Sequence, residues 1–363
     1  MIGQATVSII INNFNYGEFL AAAIDSALAQ TIQPVEVIVV DDGSTDESLA
    51  VIDSFGDRVV SVRKENGGQG SAFNAGFARS NGSIIMFLDS DDMLLPTAAE
   101  QVQRGVIRQP HALQMQFRLT VTDRDGRPTG ALNPAATHRL GSGDFRRAGP
   151  NMFNYMRSPT SANAFRRAAL EQIFPVPENV YTQQVDNFLS RCCAALGPIA
   201  AFDESIGFYR VHGRNHSQSD QLQLARMHED LVRFRDGYPY VLRVAQAAGT
   251  NGLPASPRHV YDLDVATERI ALLRCAPQML PFPNDTRRAM LSNGVRSALG
   301  RQGLSVQQRA LHIGWFLAIA CAPRRLAPTM ASMFFVPQQR RGTAHALRRR
   351  ARTLVARGRV RTS

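Results

Sequence analysis

Residues 84–92, Ile84-Ile85-Met86-Phe87-Leu88-Asp89-Ser90-Asp91-Asp92, decide the fold. Five apolar residues in a row, stopped by aspartates, predict a strand apolar on both faces and therefore covered on both. The pattern recurs on either side. Residues 7–11 run apolar into Asn12, Asn13, Phe14 and Asn15, and residues 35–40 run apolar into Asp41, Asp42, Gly43 and Ser44. Between these runs, residues 16–30 carry Phe19, Leu20, Ile24, Ala27 and Leu28 at helical spacing. Ser44 and Glu47 have the spacing of a capping box opening a helix with Leu49, Ile52 and Phe55. A short strand at 59–62 and a helix at 71–79 complete the alternation. Such strands alternating with helices predict an α/β domain with a mainly parallel central sheet flanked by helices. Ligands gather at the carboxyl ends of strands in such sheets, so Asn12–Asn15, Asp41–Ser44 and Asp89–Asp92 should open onto one crevice.

Past Pro96 the sequence predicts a helix to Arg108, strands around 113–122, a turn at 123–126, a strand at 162–165 and a helix at 167–173. A clearer helix spans 183–196, with Val185, Phe188, Leu189, Cys192 and Leu196 on one face, Gly197-Pro198 at its end and Asp186 in its first turn. From about Ser219 onward only amphipathic helical stretches remain, broken near 252–257 and 281–283. The expected organisation is a domain at 1–218, a C-terminal helical appendage at 219–337 and an arginine-rich tail at 338–363.

Composition sets the outer limits. In 363 residues, 44% hydrophobic and 20% charged, there is chain enough for a large core and no signature of disorder through the bulk. The formal charge of +11 collects largely in the tail, where nine arginines and no acid fall between 338 and 363. That tail lacks interleaved aromatics, so no nucleic-acid partner is expected. Four cysteines make no disulfide framework, and no Cys/His spacing fits a zinc site. With no basic start and long apolar stretch at the N-terminus, a cytoplasmic location is expected.

The chemistry concentrates in the acids. Asp89, Asp91 and Asp92 crowd like charges at a strand end, which costs energy unless a cation lies among them; an all-oxygen set suits Mg²⁺ or Mn²⁺. A solvated acidic turn capping the next helix is the plain alternative. Asp42 can accept from a nucleobase or a ribose hydroxyl, or cap the following helix. The turn Glu65-Asn66-Gly67-Gly68-Gln69-Gly70 allows close approach of a phosphate, or only connects two elements. No dinucleotide fingerprint follows the first strand, and no Gly-Lys-Ser/Thr phosphate loop occurs. Asp186 either does chemistry or complements its helix dipole. Phe153, Tyr155 and Tyr181 either stack on a sugar or pack the core.

Taken together, residues 7–15, Gln30-Thr31, Val39 through Asp46, Glu65-Asn66-Gly67-Gly68 with Asn74 and Gly76, and Phe87 through Asp92 resemble the family 2 glycosyltransferases in order, spacing and type, over roughly the first 220 residues. The resemblance implies a GT-A fold, a nucleotide-sugar donor with UDP-sugars favoured, a divalent cation (Mg²⁺ or Mn²⁺) and inversion at the anomeric carbon. By position it assigns Asp42 to the base, with Phe14 and Asn15 near it. Asp89 falls to the ribose and sugar, and Asp91 to the metal. Asp186 resembles the aspartate of the family's Glu-Asp motif, the base that deprotonates the acceptor hydroxyl, although Val185 stands where the glutamate usually does. Tyr209 to Ser217 resembles the closing segment, with His212 on the diphosphate or metal and Arg210 on phosphate charge. A hexosyl transfer to a glycan or lipid-linked saccharide in bacterial cell-surface glycan synthesis is the implied activity. A catalytically inactive nucleotide-sugar or glycan-binding assembly protein is the alternative.

Residues 313–322 are apolar but fall short of the ~20 residues a spanning helix needs. Met330, Met333, Phe334 and Phe335 ahead of the arginine tail fit an interfacial helix on an anionic membrane, peripheral on the inner face of the cell membrane; they fit an ordinary helical subdomain as well.

Overall fold

The structure, a computed structural model, describes residues 6–33, 35–215 and 221–335. Its first part alternates as the sequence predicts: β1 (Val7–Asn13), α1 (Gly17–Leu28), β2 (Val35–Asp41), α2 (Ser48–Phe55), β3 (Val60–Arg63), α3 (Gln69–Arg79), β4 (Ile84–Asp89), β5 (Met93–Leu94) and α4 (Ala98–Arg108). There follow β6 (Gln114–Thr122), β7 (Pro128–Asn133), β8 (Asn163–Arg166), α5 (Arg167–Leu170), α6 (Val185–Leu196) and β9 (Ile199–Arg210). The strands form one sheet in the order β3-β2-β1-β4-β8-β6-β9-β5, with β7 paired to β6. The half built from β3, β2, β1 and β4 is parallel. Beyond it β8 runs antiparallel to both β4 and β6, while β6 and β9 are again parallel.

Both faces of β1, β2 and β4 are largely buried, as their apolar runs require, while the edge strand β3 is half-buried to exposed. Ile9, Ile11, Val37 and Val39 share a core with Leu20, Ala23 and Ile24 of α1, Ile52 of α2 and Val102 of α4. On the other face α3 lies against Ile10 and Val40. A Cβ at Gly76 would run into Ile10 Cγ2, so only glycine permits that approach. Phe73 of α3 stacks on Phe87 of β4 at 3.9 Å. Phe153, Tyr155 and Tyr181 are likewise core, each at most 2% exposed, which excludes them from sugar stacking. The expected capping box is not formed. Ser44 turns back toward β1, and Ser48 N instead donates to Asp46 Oδ1 at 3.0 Å.

After β9 come α7 (Leu224–Ala247), α8 (Leu263–Cys275), α9 (Arg287–Gly300), α10 (Val306–Cys321) and α11 (Ala327–Phe335), a wholly helical region. The chain divides into two compact units. The first holds residues through His212 together with Arg233–Asp262 and Gly300–Ser305. The later turns of α7 thus belong with the sheet: Gly237 abuts the Tyr181 hydroxyl, and Arg191 of α6 lies 4.8 Å over the Phe234 ring. The second unit holds Gly213–Val232, Leu263–Leu299 and the chain from Val306. Inside it Arg269 and Asp285 form a fully buried two-pronged pair at 2.9 and 2.7 Å, and Arg274 Nε donates to Ile319 O at 3.0 Å, tying α8 to α10. No helix among the described residues is long and apolar enough to cross a membrane, and the arginine-rich tail lies outside them.

Candidate active site

Strand register builds the site. In the parallel pairs Asn12 stands opposite Asp89 and Asn13 opposite Asp41. Successive side chains leave a strand on opposite faces, so the two amides serve two different carboxylates. Asn12 Nδ2 donates to Asp89 Oδ1 at 3.0 Å, and Asn13 Nδ2 to Asp41 Oδ1 at 2.9 Å. Ser44 Oγ accepts from Asn13 Nδ2 and from Asn15 N, while Asn15, with φ of 57°, accepts from Thr45 N at 2.8 Å. The segments expected to share a crevice are therefore bonded directly to one another. Phe14 stays 44% exposed among them.

Asp42 is buried, and both of its oxygens are engaged. Oδ1 accepts from Lys64 Nζ at 2.7 Å and Gly67 N at 3.0 Å; Oδ2 accepts from Gly68 N at 2.7 Å. The next two amides of the turn, Gln69 N and Gly70 N, donate to the carbonyls of Thr182 and Tyr181 at 2.8 and 2.9 Å. The amides from Gly67 to Gly70 thus serve as a joint between β2 and the segment entering α6, which leaves none of the four free to cradle a phosphate. Gly68, at φ 82° with Thr182 Cα 2.8 Å from where a Cβ would be, fits that joint because it has no side chain.

At the end of β4 the three aspartates divide their work. Asp92 is closed off: Ser161 Oγ donates to one oxygen at 2.6 Å and Arg210 N to the other at 3.2 Å. Burial, then the charges of Asp91 and Asp89, push its carboxyl well up from the ordinary range. Ser161 Oγ also accepts from Asp89 N, so the loop before β8 pins the turn at two points. Asp91 Oδ2 meets His212 Nε2 at 2.9 Å, and its Oδ1 makes no hydrogen bond among the described residues. The His212 ring is itself wedged against Phe19 and Tyr16. Arg210 reaches Asp91 O at 3.1 Å and Arg124 O at 2.9 Å and lies 4.9 Å over Phe19, bracing the aspartate turn from behind. Asp89 is pushed up to about 7 by burial first, then by the charges of Asp91 and Asp186.

The charge of Asp186 reaches Asp89, and one side chain joins the elements that carry them. Gln69 Nε2 donates to Asp89 Oδ1, and Gln69 Oε1 accepts from Val185 N, each at 3.2 Å. Gln184, at φ 57°, turns the chain into α6 there. Burial raises the Asp186 carboxyl; its own helix-start amides and the guanidinium groups of Arg157 and Arg191 pull it back. Those two arginines converge on the buried Asp262 at 3.2 and 3.3 Å, and Arg157 Nε donates to Asn187 Oδ1 at 3.0 Å. The sequence assigns no role to Ser161, Lys64 or Arg157, shows Gln69 only as part of the glycine turn, and places Asn12 in the crevice without naming its partner. Only Asn12 carried a signal of that partner, since equal strand ends put it level with Asp89.

The donor set at Asp91 fits a divalent cation. A carboxylate with an uncommitted oxygen stands beside an imidazole, with a second carboxyl, pushed up by burial and like charge, two residues away. Among the described residues no three His, Cys, Asp or Glu side chains are arranged to hold a metal by themselves, so further ligands would come from water and a substrate.

A parallel half-sheet opening through an aspartate turn onto a half-buried helix-start carboxylate defines the GT-A glycosyltransferase class. The family description "Glycosyl transferase family 2" matches residues 8–174. An uncharacterized glycosyltransferase of Nostoc sp. is 34% identical over 220 residues, 59% of this chain and 67% of that protein. The chondroitin synthase of Pasteurella multocida is 37% identical over 129 residues, 35% of this chain but only 13% of that one. The crystal structure of S. aureus TarS 1–349 in complex with UDP-GlcNAc shares the fold with a TM-score of 0.52 at 14% identity, covering 94% of this chain and 92% of that one. The chain belongs to glycosyl transferase family 2.

Proposed function

We propose that the protein is an inverting transferase that moves a hexosyl group from a nucleotide diphosphate to an acceptor hydroxyl, with Asp186 as the base. The observation that carries this reading is the Gln69 bridge, which couples Asp89, the donor contact, to the first residue of the helix bearing Asp186. The exposed Phe14 ring offers a stacking face for the nucleobase, and Asp42 holds the floor of that pocket rigid through Lys64 and the glycine turn. Asn12 Oδ1, buried and without a hydrogen-bond partner beside Asp89, is placed to accept from a donor hydroxyl.

Mg²⁺ or Mn²⁺ held by Asp91, with His212 beside it, would supply positive charge to the diphosphate. Asp186 takes the acceptor proton as the new glycosidic bond forms on the face opposite the departing diphosphate, a contribution of about 10² to 10⁴ in rate. Arg157 and Arg191 pull the Asp186 carboxyl back against the upward push of burial, toward the ionised form a base needs. UDP-GlcNAc in the TarS structure makes UDP-sugars the first donors to test. The acceptor we infer is a glycan or lipid-linked saccharide of bacterial cell-surface synthesis, met at the inner face of the membrane.

A panel of UDP-, GDP- and dTDP-sugars with Mn²⁺, scored by released nucleotide, tests the reading. Turnover of a UDP-sugar that stops with chelator and returns with Mn²⁺ is the expected result. Binding without turnover of any donor in the presence of acceptor extracts would sink it.

A further inference from the structure

The outer face of α10 is exposed and carries no charge. At 3.6 residues per turn, Val306, Ala310, Leu311, Gly314, Leu317 and Cys321 fall on one stripe along the whole 16-residue helix, about 24 Å, with the uncharged Gln307 as the exposed polar residue on it. All six are exposed, Val306 at 82%, Leu311 at 73% and Leu317 at 48%. The inner face is the ordinary one: Phe316, Ile319 and Ala320 are buried. At the C-terminal end of the stripe Pro323 stops the helix, and exposed Arg324 and Arg325 follow, with Leu326 49% exposed.

The sequence pointed to Met330, Met333, Phe334 and Phe335 as the apolar anchor, and the fold uses their aromatic part differently. Trp315 packs on Phe334 at 4.3 Å and on Phe335 at 6.2 Å, and its Nε1 donates to Met330 O. Those rings knit α10 to α11. What remains unpartnered among the described residues is the α10 stripe, in a chain that runs on from α11 into a segment with nine arginines and no acid.

We propose that the α10 stripe is the surface that enters the headgroup–acyl boundary of an anionic bilayer, with Arg324 and Arg325 at the lipid phosphates. Length and character agree: a helix too short to cross a membrane, apolar on one side and cationic at the end, lies in the interface plane. A second copy of the chain is the poorer partner, because the stripe carries no acid to meet Arg324 and Arg325, whereas anionic lipid neutralises them. The inference rests on the reading that the enzyme meets its acceptor at a membrane, and it names the part of the protein that does so.

Full-length protein is tested for co-sedimentation with phosphatidylglycerol and with phosphatidylcholine vesicles, and in parallel with an environment-sensitive fluorophore on Cys321, the other three cysteines being buried or half-buried. Binding to the anionic vesicles alone, weakened by salt and with a blue shift of the probe, is expected. Leu311→Glu with Leu317→Glu should weaken it on the order of 100-fold, from the apolar area lost. Ile107→Glu, at a 69% exposed position of α4, should leave it unchanged. Donor hydrolysis in solution should be the same in all, which separates loss of the surface from loss of the enzyme. If wild type ignores anionic vesicles, the membrane reading falls and this inference with it. If wild type and the double variant bind alike, the stripe is wrong while the membrane reading survives on the arginines. A dimer that the double variant abolishes, without vesicle binding, would assign the face to a second copy and overturn the proposal.

Discussion

Replacing Gln69 by leucine keeps the side-chain size and removes both bonds of the bridge between Asp89 and Val185. The bond to the Asp89 carboxylate is of the charged kind, about 1.5–3 kcal/mol, and leaving the Val185 amide unpaired costs about 1–3 kcal/mol more. Part of that cost falls on stability, and a loss of about 2 kcal/mol should lower Tm by several degrees. The rest falls on geometry. Once α6 is no longer tied to the end of β4, Asp186 and the donor contact relax by a fraction of an ångström to an ångström, and displacement of that size costs roughly 10²-fold in rate. We therefore expect kcat for UDP-sugar transfer to fall about 100-fold, with KM for the donor changed about threefold at most, because Asp42, Phe14 and Asp91 are untouched. Steady-state kinetics at saturating acceptor, with Tm recorded on the same preparation, checks this. A variant that loses stability yet keeps kcat within about twofold would show that Gln69 only braces the fold and would refute the coupling.

Three further outcomes follow from the same structure. Asp91→Ala should abolish the thermal shift that Mn²⁺ with UDP gives the wild type, while the Tm of the metal-free protein stays within a few degrees, since among the described residues its side chain hydrogen-bonds His212 alone. The Asp186 carboxyl is raised by burial, so its contribution to stability is present below the ordinary carboxylate range and lost as pH rises through the raised value. Activity needs the ionised form and so should fall on acidification at a pH above the usual ~3.9; Arg157→Met, which leaves Arg191 as the other facing cation, should move that limb further up in a pH profile of kcat. Arg269→Met strands the buried Asp285 carboxylate and should cost about 3–5 kcal/mol in denaturant titration, most of it recovered when Asp285→Leu is added.

The parallel half of the sheet was legible because burial on both faces writes itself into unbroken runs such as residues 84–88. In the mixed half β6 and β8 were legible, and β7 and β9 were not. β7, Pro128–Asn133, is mostly exposed and has no apolar alternation, and β9, Ile199–Arg210, is interrupted by exposed Asp203 and Glu204 in mid-strand. Among the candidate site residues, the aspartates were visible as charge crowded at a strand end. Their ties were invisible: Ser161 to Asp92 and Gln69 to Val185 join residues 69 and 116 positions apart, which no local pattern records. Ser44 shows the opposite failure. Its local capping pattern was sound, but the bonds offered by Asn13 and Asn15 from the neighbouring strand won.

The account stands or falls on Asp186. Turnover of a UDP-sugar by Asp186→Asn, measured with acceptor and Mn²⁺ alongside the dissociation constant for UDP in the same protein, tests it most directly. The expected result is UDP binding within about threefold of wild type with kcat lower by about 10² or more. Near-wild-type kcat with UDP binding intact would contradict it, and the proton would have to be taken by another group.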